Sequence, residues 1–98
     1  MSGYGDIVTG RRIRTPQRLG AAIRDARRAT GLTQVQLAAK AGVSRAWLID
    51  LEAGAGERAE LGKVLATVGA LGLCLELSPV DDDATDAEAA ALDYLAKL

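Results

Sequence analysis

Hydrophobic residues recur with helical spacing in the amino-terminal third of the chain. Leu19, Ala22, Ile23 and Ala26 fall at positions i, i+3, i+4 and i+7 and so share one face of a helix. Thr15 is a residue type that caps helices, and Pro16 suits a first helical turn. Gly31 follows the apolar positions and is typical of a helix end. The pattern predicts a helix that starts at the Thr15–Pro16 pair and stops at Gly31.

The stretch from Leu32 to Leu51 predicts two short helices joined by a tight turn. Thr33 and Gln36 have the spacing of a capping box, and Ser44 is the cap of a second helix. Gly42 lies between them, where a positive φ ends the first helix. The pairs Leu32 with Leu37 and Val43 with Leu48 have the spacing of hydrophobic staples at the two helix starts. The caps, the turn glycine and the staples together restrict the angle between the two helices.

The carboxyl-terminal part changes from helical to strand spacing. An apolar helical stripe ends at Gly72 and consists of Leu61, Val64, Leu65, Val68 and Leu71. Leu73, Leu75 and Leu77 then alternate with Cys74, Glu76 and Ser78, which predicts a strand over 73–78 that ends before Pro79. A single strand cannot satisfy its own backbone. Pairing with the same strand of a second copy is the simplest solution, which makes the three leucines dimerisation residues, and pairing with residues 7–9 is the alternative.

Charge divides the chain into two parts. Residues 1–63 carry eleven basic and six acidic side chains, a net charge of +5, whereas residues 64–98 carry one lysine and seven acids, a net charge of −6. Residues 1–14 form a flexible basic segment in which Arg12 and Arg14 are either an arm that reaches DNA or a solvated tail. Residues 80–98 form an acidic tail that is either disordered or orders on a partner as a helix over 86–97. The central domain is then 15–79.

Composition restricts the classes of function. A chain of 98 residues buries about 60 to 65% of its unfolded surface and forms one domain without a metal or disulfides. It has no histidine and one cysteine, Cys74, so neither a catalytic centre nor a metal or cofactor site is expected. No long apolar run or signal peptide is visible, and we expect a soluble cytoplasmic protein with no membrane partner.

The spacing of small and apolar residues in the two-helix stretch points to a family. Counted from Gln34, an alanine is fifth (Ala38), a glycine ninth (Gly42), and leucines fifteenth and eighteenth (Leu48 and Leu51). This order resembles that of the Xre/Cro family of helix-turn-helix repressors. The resemblance implies a mainly α, lambda-repressor-like DNA-binding domain of four to five helices, here with one carboxyl-terminal β-strand that pairs across a dimer.

The same resemblance implies roles for individual residues. It assigns Gln34 to the DNA backbone and places Ser44, Arg45, Ala46 and Asp50 on the face that enters the major groove, with a solvated charge as the alternative for Asp50. It also implies an ion pair between Arg27 and Glu52. Trp47 departs from the family, whose members commonly carry a small or polar residue there, and we expect it to pack partly into the protein with its N–H near the DNA backbone.

Over residues 12–80 the layout resembles that of HipB-type antitoxins. This resemblance implies a homodimeric repressor of its own operon that also binds a HipA-type kinase toxin. A stand-alone Xre-family regulator has the same layout and remains an alternative. A third possibility is an adaptor that has lost DNA binding and holds a protein partner.

Overall fold

A computed structural model describes residues 12–80 and 94–97 of the chain. Within the first range four helices follow one another: α1 (Pro16–Ala29), α2 (Gln34–Ala41), α3 (Arg45–Glu52) and α4 (Leu61–Ala70). In the second range, residues 94–96 have helical backbone. The expectation of a mainly helical fold is confirmed. The segment 7–9 and most of the predicted tail helix lie outside the described residues.

The first three helices begin where their capping residues predict. Thr15 Oγ1 accepts a hydrogen bond from the backbone N–H of Arg18 at 3.1 Å. Thr33 and Gln36 form both bonds of the capping box: Thr33 Oγ1 accepts from the Gln36 N–H at 3.0 Å, and Gln36 Oε1 accepts from the Thr33 N–H at 2.9 Å. Ser44 Oγ accepts from the N–H of Trp47 at 3.0 Å. Gly42 ends α2 with φ 76°, so the predicted corner between α2 and α3 is formed.

One hydrophobic core holds the four helices together. Its buried members are Ile23, Leu37, Ala38, Leu48, Leu51, Val64, Val68 and Leu71. Leu32 and Val43, the outer members of the two predicted staples, pack against this core. Burial of a leucine side chain stabilises the folded state by about 1.5 to 3 kcal/mol. Leu37, Leu48 and Leu51 are almost completely buried and therefore fix α2 and α3 against the remainder.

Helices α1 and α3 cross closely at Gly20, a contact that the hydrophobic pattern does not reveal. A Cβ atom at position 20 would lie 2.1 Å from the carbonyl oxygen of Leu51 and 3.1 Å from that of Glu52. Since both are backbone atoms, they cannot move aside as a flexible side chain would. The crossing therefore requires glycine at this position.

The buried face of α4 differs from the predicted stripe. Val64, Thr67 and Val68 point into the core, whereas Leu61 and Leu65 are 66% and 47% exposed. Thr67 is fully buried, and its hydroxyl donates to the carbonyl oxygen of Lys63 at 2.8 Å. Val64, Val68 and Leu71 of the predicted stripe are buried, so the stripe is right for these three residues and wrong for Leu61 and Leu65. The buried face also includes Thr67, which an apolar pattern does not count, because its local hydrogen bond satisfies the hydroxyl.

The strand predicted over 73–78 is not formed in the described part of the chain. These residues have no regular secondary structure, and Leu75 and Leu77 are 45% and 100% exposed. Leu73 differs from them, because its side chain packs partly against the core and its N–H continues the end of α4 by donating to Val68 O at 3.1 Å. Strand geometry depends on a pairing partner, which the described residues of one chain do not provide. Neither the strand nor its pairing across a dimer is therefore part of the fold that the chain forms by itself.

Candidate nucleic-acid interface

Helix α3 has one face in the core and the opposite face in solvent. Leu48, Leu51 and Glu52 are buried, whereas Arg45, Ala46 and Asp50 are exposed, as is the capping residue Ser44. Because the buried leucines leave this helix no freedom to roll, the exposed side chains have a fixed direction relative to the domain. The four residues that the family resemblance assigns to the groove face are therefore all accessible from solvent.

Arg45 lies in the first turn of this surface. In the described part of the chain no hydrogen bond or ion pair engages its guanidinium group. An arginine side chain carries five N–H donors in a planar fork, which fits two adjacent acceptors on one edge of a base. The first turn of α3 thus presents a bidentate donor to solvent.

A buried ion pair joins α1 to the end of α3. Arg27 Nε lies 2.7 Å from Glu52 Oε2, and Arg27 Nη2 donates to Glu52 Oε1 at 3.0 Å. Arg27 Nη1 also donates to the carbonyl oxygen of Leu32, at 3.0 Å, which connects the pair to the residue that precedes the cap of α2. The hydrogen bonds with Glu52 are the main reason that the pKa of Arg27 lies above its ordinary value, and desolvation opposes them. The pair that the family resemblance implied is present in the structure.

Gln34 extends this network to the start of α2. Its Nε2 donates to Glu52 Oε1 at 3.1 Å, so the same carboxylate oxygen serves both Arg27 and Gln34. An ionised carboxylate can only accept hydrogen bonds, which requires the nitrogen of the Gln34 amide to face it. The family resemblance implies that Gln34 lies at the DNA backbone. Its contact with Glu52 was not predicted, because no spacing rule connects residues that are 18 positions apart.

Trp47 lies on the side of α3 that faces α4. It is half-buried and packs against the core, and Lys63 Nζ lies 5.8 Å from the centre of its ring. A cation at this distance from an indole face is attracted by the ring electrons. Lys63 was not among the predicted site residues, although its position in the first turn of α4 gives it access to α3.

A shallow cleft of about 160 Å³ separates α3 from the loop that follows it. It is lined by Trp47, Asp50, Leu51, Ala55, Gly56, Arg58 and Ala59. Pockets that bind drug-sized ligands are larger, about 300 to 1,000 Å³. The cleft is therefore too small to enclose such a ligand and instead forms part of the surface beside the exposed face of α3.

The structure also shows the positions of the predicted basic arginines before α1 and of the single cysteine. Arg12 and Arg14 are exposed and precede α1, on the amino-terminal side of its cap. Cys74 is exposed, and the described residues hold no group of histidine, cysteine or acidic side chains that could bind a metal ion. None of the described helices is both long and apolar enough to span a bilayer.

The arrangement of α2 and α3 defines a helix-turn-helix protein. The second helix of the pair is anchored by its inner face and exposes its first turn, and the first helix starts beside the end of the second. The chain belongs to the helix-turn-helix domain family, since the family model described by that name matches residues 18–92. It is also 40% identical over 67 residues to an uncharacterized HTH-type transcriptional regulator, y4mF, of Sinorhizobium fredii, an alignment that covers 68% of this chain and 87% of that protein.

Proposed function

We propose that this protein is a transcriptional repressor that binds duplex DNA in a sequence-specific manner. The observation that carries the proposal is the exposed face of α3, where Arg45, Ala46 and Asp50 project from a helix fixed by buried leucines. A helix of this kind fits the major groove of B-DNA, with its first turn toward the base edges. The name of the related protein y4mF, an uncharacterized HTH-type transcriptional regulator, agrees with this function.

Each exposed side chain has a specific chemical use in a groove. Arg45 donates to O6 and N7 of a guanine, Ala46 contacts a thymine methyl group, and Asp50 accepts from cytosine N4 or orients Arg45. Ser44 is at the entrance of the same helix and contacts a base or phosphate through its hydroxyl group. Outside the groove, Gln34 approaches a phosphate at the start of α2, and the exposed Arg12 and Arg14 add basic contacts.

The test is DNA binding by wild-type protein and by Arg45→Ala, with Arg28→Ala as the matched control. Both arginines are exposed, so neither substitution removes a core contact. Wild-type protein should protect a site in the region upstream of its own gene from nuclease digestion. Loss of one bidentate base contact costs about 1 to 3 kcal/mol of discrimination, so Arg45→Ala should lower the preference for the specific duplex over unrelated ones about 5- to 150-fold. Arg28→Ala should retain the preference.

Two results would contradict the proposal. Absence of any salt-dependent complex with duplex DNA would eliminate DNA binding and favour the adaptor, whose partner would then be a protein. A complex whose sequence preference is unchanged by Arg45→Ala would show that Arg45 reads no base.

The repressor is proposed to act as a homodimer. Pairing of segment 73–78 between two copies satisfies the backbone groups of that segment and covers Leu75 and Leu77, which are exposed in the single chain. Leu61 and Leu65 on the outer face of α4 add apolar surface shortly before it in the chain. Two copies of α3 related by a two-fold axis fit a palindromic operator.

Sedimentation at increasing protein concentration tests the dimer. Leu77→Asp should give a monomer at concentrations where the wild type has twice the mass, because the charge cannot be buried in the interface. Leu95→Asp makes the same change at another exposed leucine and should leave the mass unchanged. A monomeric wild type, or equal effects of the two substitutions, would contradict pairing through 73–78.

The finer proposal is an antitoxin that regulates its own operon and binds a HipA-type kinase toxin. It is supported by the resemblance of residues 12–80 to HipB-type antitoxins. A kinase-type reading frame beside the gene, whose product co-purifies with this protein and loses its toxicity on co-expression, would support it. A neighbouring gene of another type would leave the stand-alone regulator as the better description.

A further inference from the structure

We infer that the outer face of α1 is a docking site for the acidic segment that follows Val80 in the same chain. Arg18, Arg24 and Arg28 form the site. Its ligand is the segment 81–88, which carries five acidic side chains and no basic one and lies outside the described residues. The inference goes beyond the proposed function and does not depend on it, because the contact needs no DNA.

The positive charge of the described domain is concentrated on α1 and the residues just before it. Residues 12–29 carry six basic side chains and one acidic one, a net charge of +5, whereas residues 30–80 carry four basic and five acidic ones, a net charge of −1. On the recognition side, three exposed basic residues are balanced by three exposed acids: Arg45, Arg58, Lys63, Asp50, Glu57 and Glu60. A negatively charged segment is therefore attracted to α1 more strongly than to the exposed face of α3.

The three arginines form one exposed strip along α1. At 3.6 residues per turn they lie within an arc of about 120°, whose centre is about 160° from the buried Ile23, and Arg18 and Arg28 are about 15 Å apart along the helix axis. In the described part of the chain no hydrogen bond or ion pair engages their guanidinium groups. Asp25 lies in the same arc and leaves the strip with a net charge of +2. Arg24 and Arg28 are four residues apart, where like charges repel, so an anion on this face removes a repulsion.

The acidic segment has the length and the reach to cover this strip. From Asp81 to Asp86 an extended chain spans about 17 Å, close to the separation of Arg18 and Arg28. Leu73 packs against the core that α1 and α4 share, and eight further residues lead to Asp81, a reach of up to about 28 Å. The outer face of α1 lies about two helix diameters, about 20 to 24 Å, from that anchor.

Covalent attachment makes weak ion pairs effective. A single exposed ion pair contributes little and is screened by salt. The segment 81–88 follows directly on the domain, so its effective concentration at α1 is about millimolar, and several pairs form with one ligand. The contact is therefore expected at low ionic strength and should be lost at about 1 M salt, where charges are screened within about 3 Å.

Nuclear magnetic resonance of the full chain tests the docking. The measured quantity is the change in the amide shifts of residues 81–88 between low salt and about 1 M salt. The wild type should show a clear change, because salt releases the segment. The change should be lost in the triple variant Arg18→Gln, Arg24→Gln and Arg28→Gln, whose shifts at low salt should already match those of the wild type at high salt. The amide shift of the buried Leu51 shows whether the variant is folded.

A matched control removes the same charge from another surface. Arg45→Gln, Arg58→Gln and Lys63→Gln together also remove three positive charges, but from exposed positions on the recognition side. This variant should keep the wild-type change. In the reciprocal experiment, replacement of the five acids of 81–88 by asparagine or glutamine should shift the side-chain N–H signals of the three α1 arginines and leave that of Arg45 in place.

Several results would overturn the docking. Equal losses in the two triple variants would show that the segment responds only to total charge, and a larger loss in the control would place it on the recognition side. An unchanged α1 variant would leave that face to another polyanion such as DNA. In Leu77→Asp, which is expected to be monomeric, the wild-type change should persist, and its loss there would show that a second copy supplies the segment. Because these measurements involve no DNA, their failure leaves the proposed function intact.

Discussion

Gly20 determines how closely α1 approaches α3. We predict that Gly20→Ala lowers the free energy of unfolding by about 3 kcal/mol, because the added methyl group meets the carbonyl oxygen of Leu51 and forces the helices apart. Gly69→Ala is the matched control. It lies within α4, where an added Cβ meets nothing within 4 Å, and it should stabilise the protein by about 0.5 to 1 kcal/mol. Urea denaturation measures both changes, and equal effects would show that the crossing tolerates a side chain.

The buried pair of Arg27 and Glu52 predicts a non-additive mutant cycle. Arg27→Met should cost about 3 to 5 kcal/mol, because it leaves the Glu52 carboxylate buried with the Gln34 amide as its remaining side-chain partner. Replacement of both residues by methionine should cost less than Arg27→Met alone, since no uncompensated charge remains. Denaturation of the two single variants and the double variant measures the coupling. Additive losses would contradict it.

The pKa of Arg27 predicts the pH range over which its contribution to stability holds. A cation whose pKa is raised in the folded state stabilises that state fully at every pH below its unfolded pKa, and the contribution is lost only as pH rises through the higher folded value. Both values lie far above neutrality. The stability difference between wild type and Arg27→Met should therefore show no loss from titration of Arg27 between about pH 6 and pH 10, which denaturation at several pH values would measure.

Single residues also mark where sequence analysis succeeds and where it fails. Capping residues, the turn glycine and the apolar anchors of α3 were predicted because each acts through a fixed local spacing. Thr67 was missed because an apolar pattern does not count a threonine, although its hydroxyl donates to the carbonyl oxygen of Lys63 within α4. Gly20 was missed because its role depends on backbone atoms of α3 that come near only after the helices pack. The contact between Gln34 and Glu52 belongs to the same class. Tertiary contacts of small or polar residues leave no periodic signal in a single sequence.

At the scale of elements, substitutions of Ser44, the cap of α3, distinguish its effect on stability from its effect on DNA binding. Ser44→Ala removes the bond to the Trp47 N–H and should cost about 1 kcal/mol of stability. Ser44→Asp restores a capping oxygen and adds a favourable charge at a helix start, so its stability should match that of the wild type. On the proposed DNA-facing surface the same negative charge repels phosphate, and the affinity for DNA should fall. Thermal unfolding of both variants measures the change in stability, and titration with DNA measures the change in affinity. If Ser44→Asp were destabilised as well as weak in DNA binding, the loss of affinity could come from the loss of stability, and the prediction would fail.

Helices α1 to α3 were predicted more accurately than the segment that follows them. Each of these helices has its own side-chain cap, whereas Glu60 before α4 forms no side-chain cap bond. The position of α4 is instead set by burial of Val64, Thr67 and Val68. The predicted strand after α4 depends even more on tertiary or quaternary contacts, because a strand needs a second strand to satisfy its backbone hydrogen bonds. Elements with local signals are therefore predictable from one chain, and elements that depend on partners are not.

On the scale of the whole molecule, opposite charges are separated along the chain. The part with the helix-turn-helix is basic, and residues 81–98 carry six acids and one lysine, a net charge of −5. Removal of that charge changes the net charge of the protein from −1 to +4. Phosphate binding responds to the summed field of the protein as well as to its contacts. The acidic residues should therefore weaken the attraction between the basic domain and DNA.

We predict that replacement of the six acids in 81–98 by asparagine or glutamine raises the affinity for duplex DNA about tenfold at low ionic strength. The difference should disappear as salt approaches about 1 M, where charges are screened within about 3 Å. A protein that ends at residue 80 is the control, because it removes the charges together with any contacts of the segment. If both variants gain equally, the acidic charge alone opposes DNA binding. If only the shortened protein gains, the segment acts through contacts, and if neither gains, its charge has no influence on the DNA-binding surface.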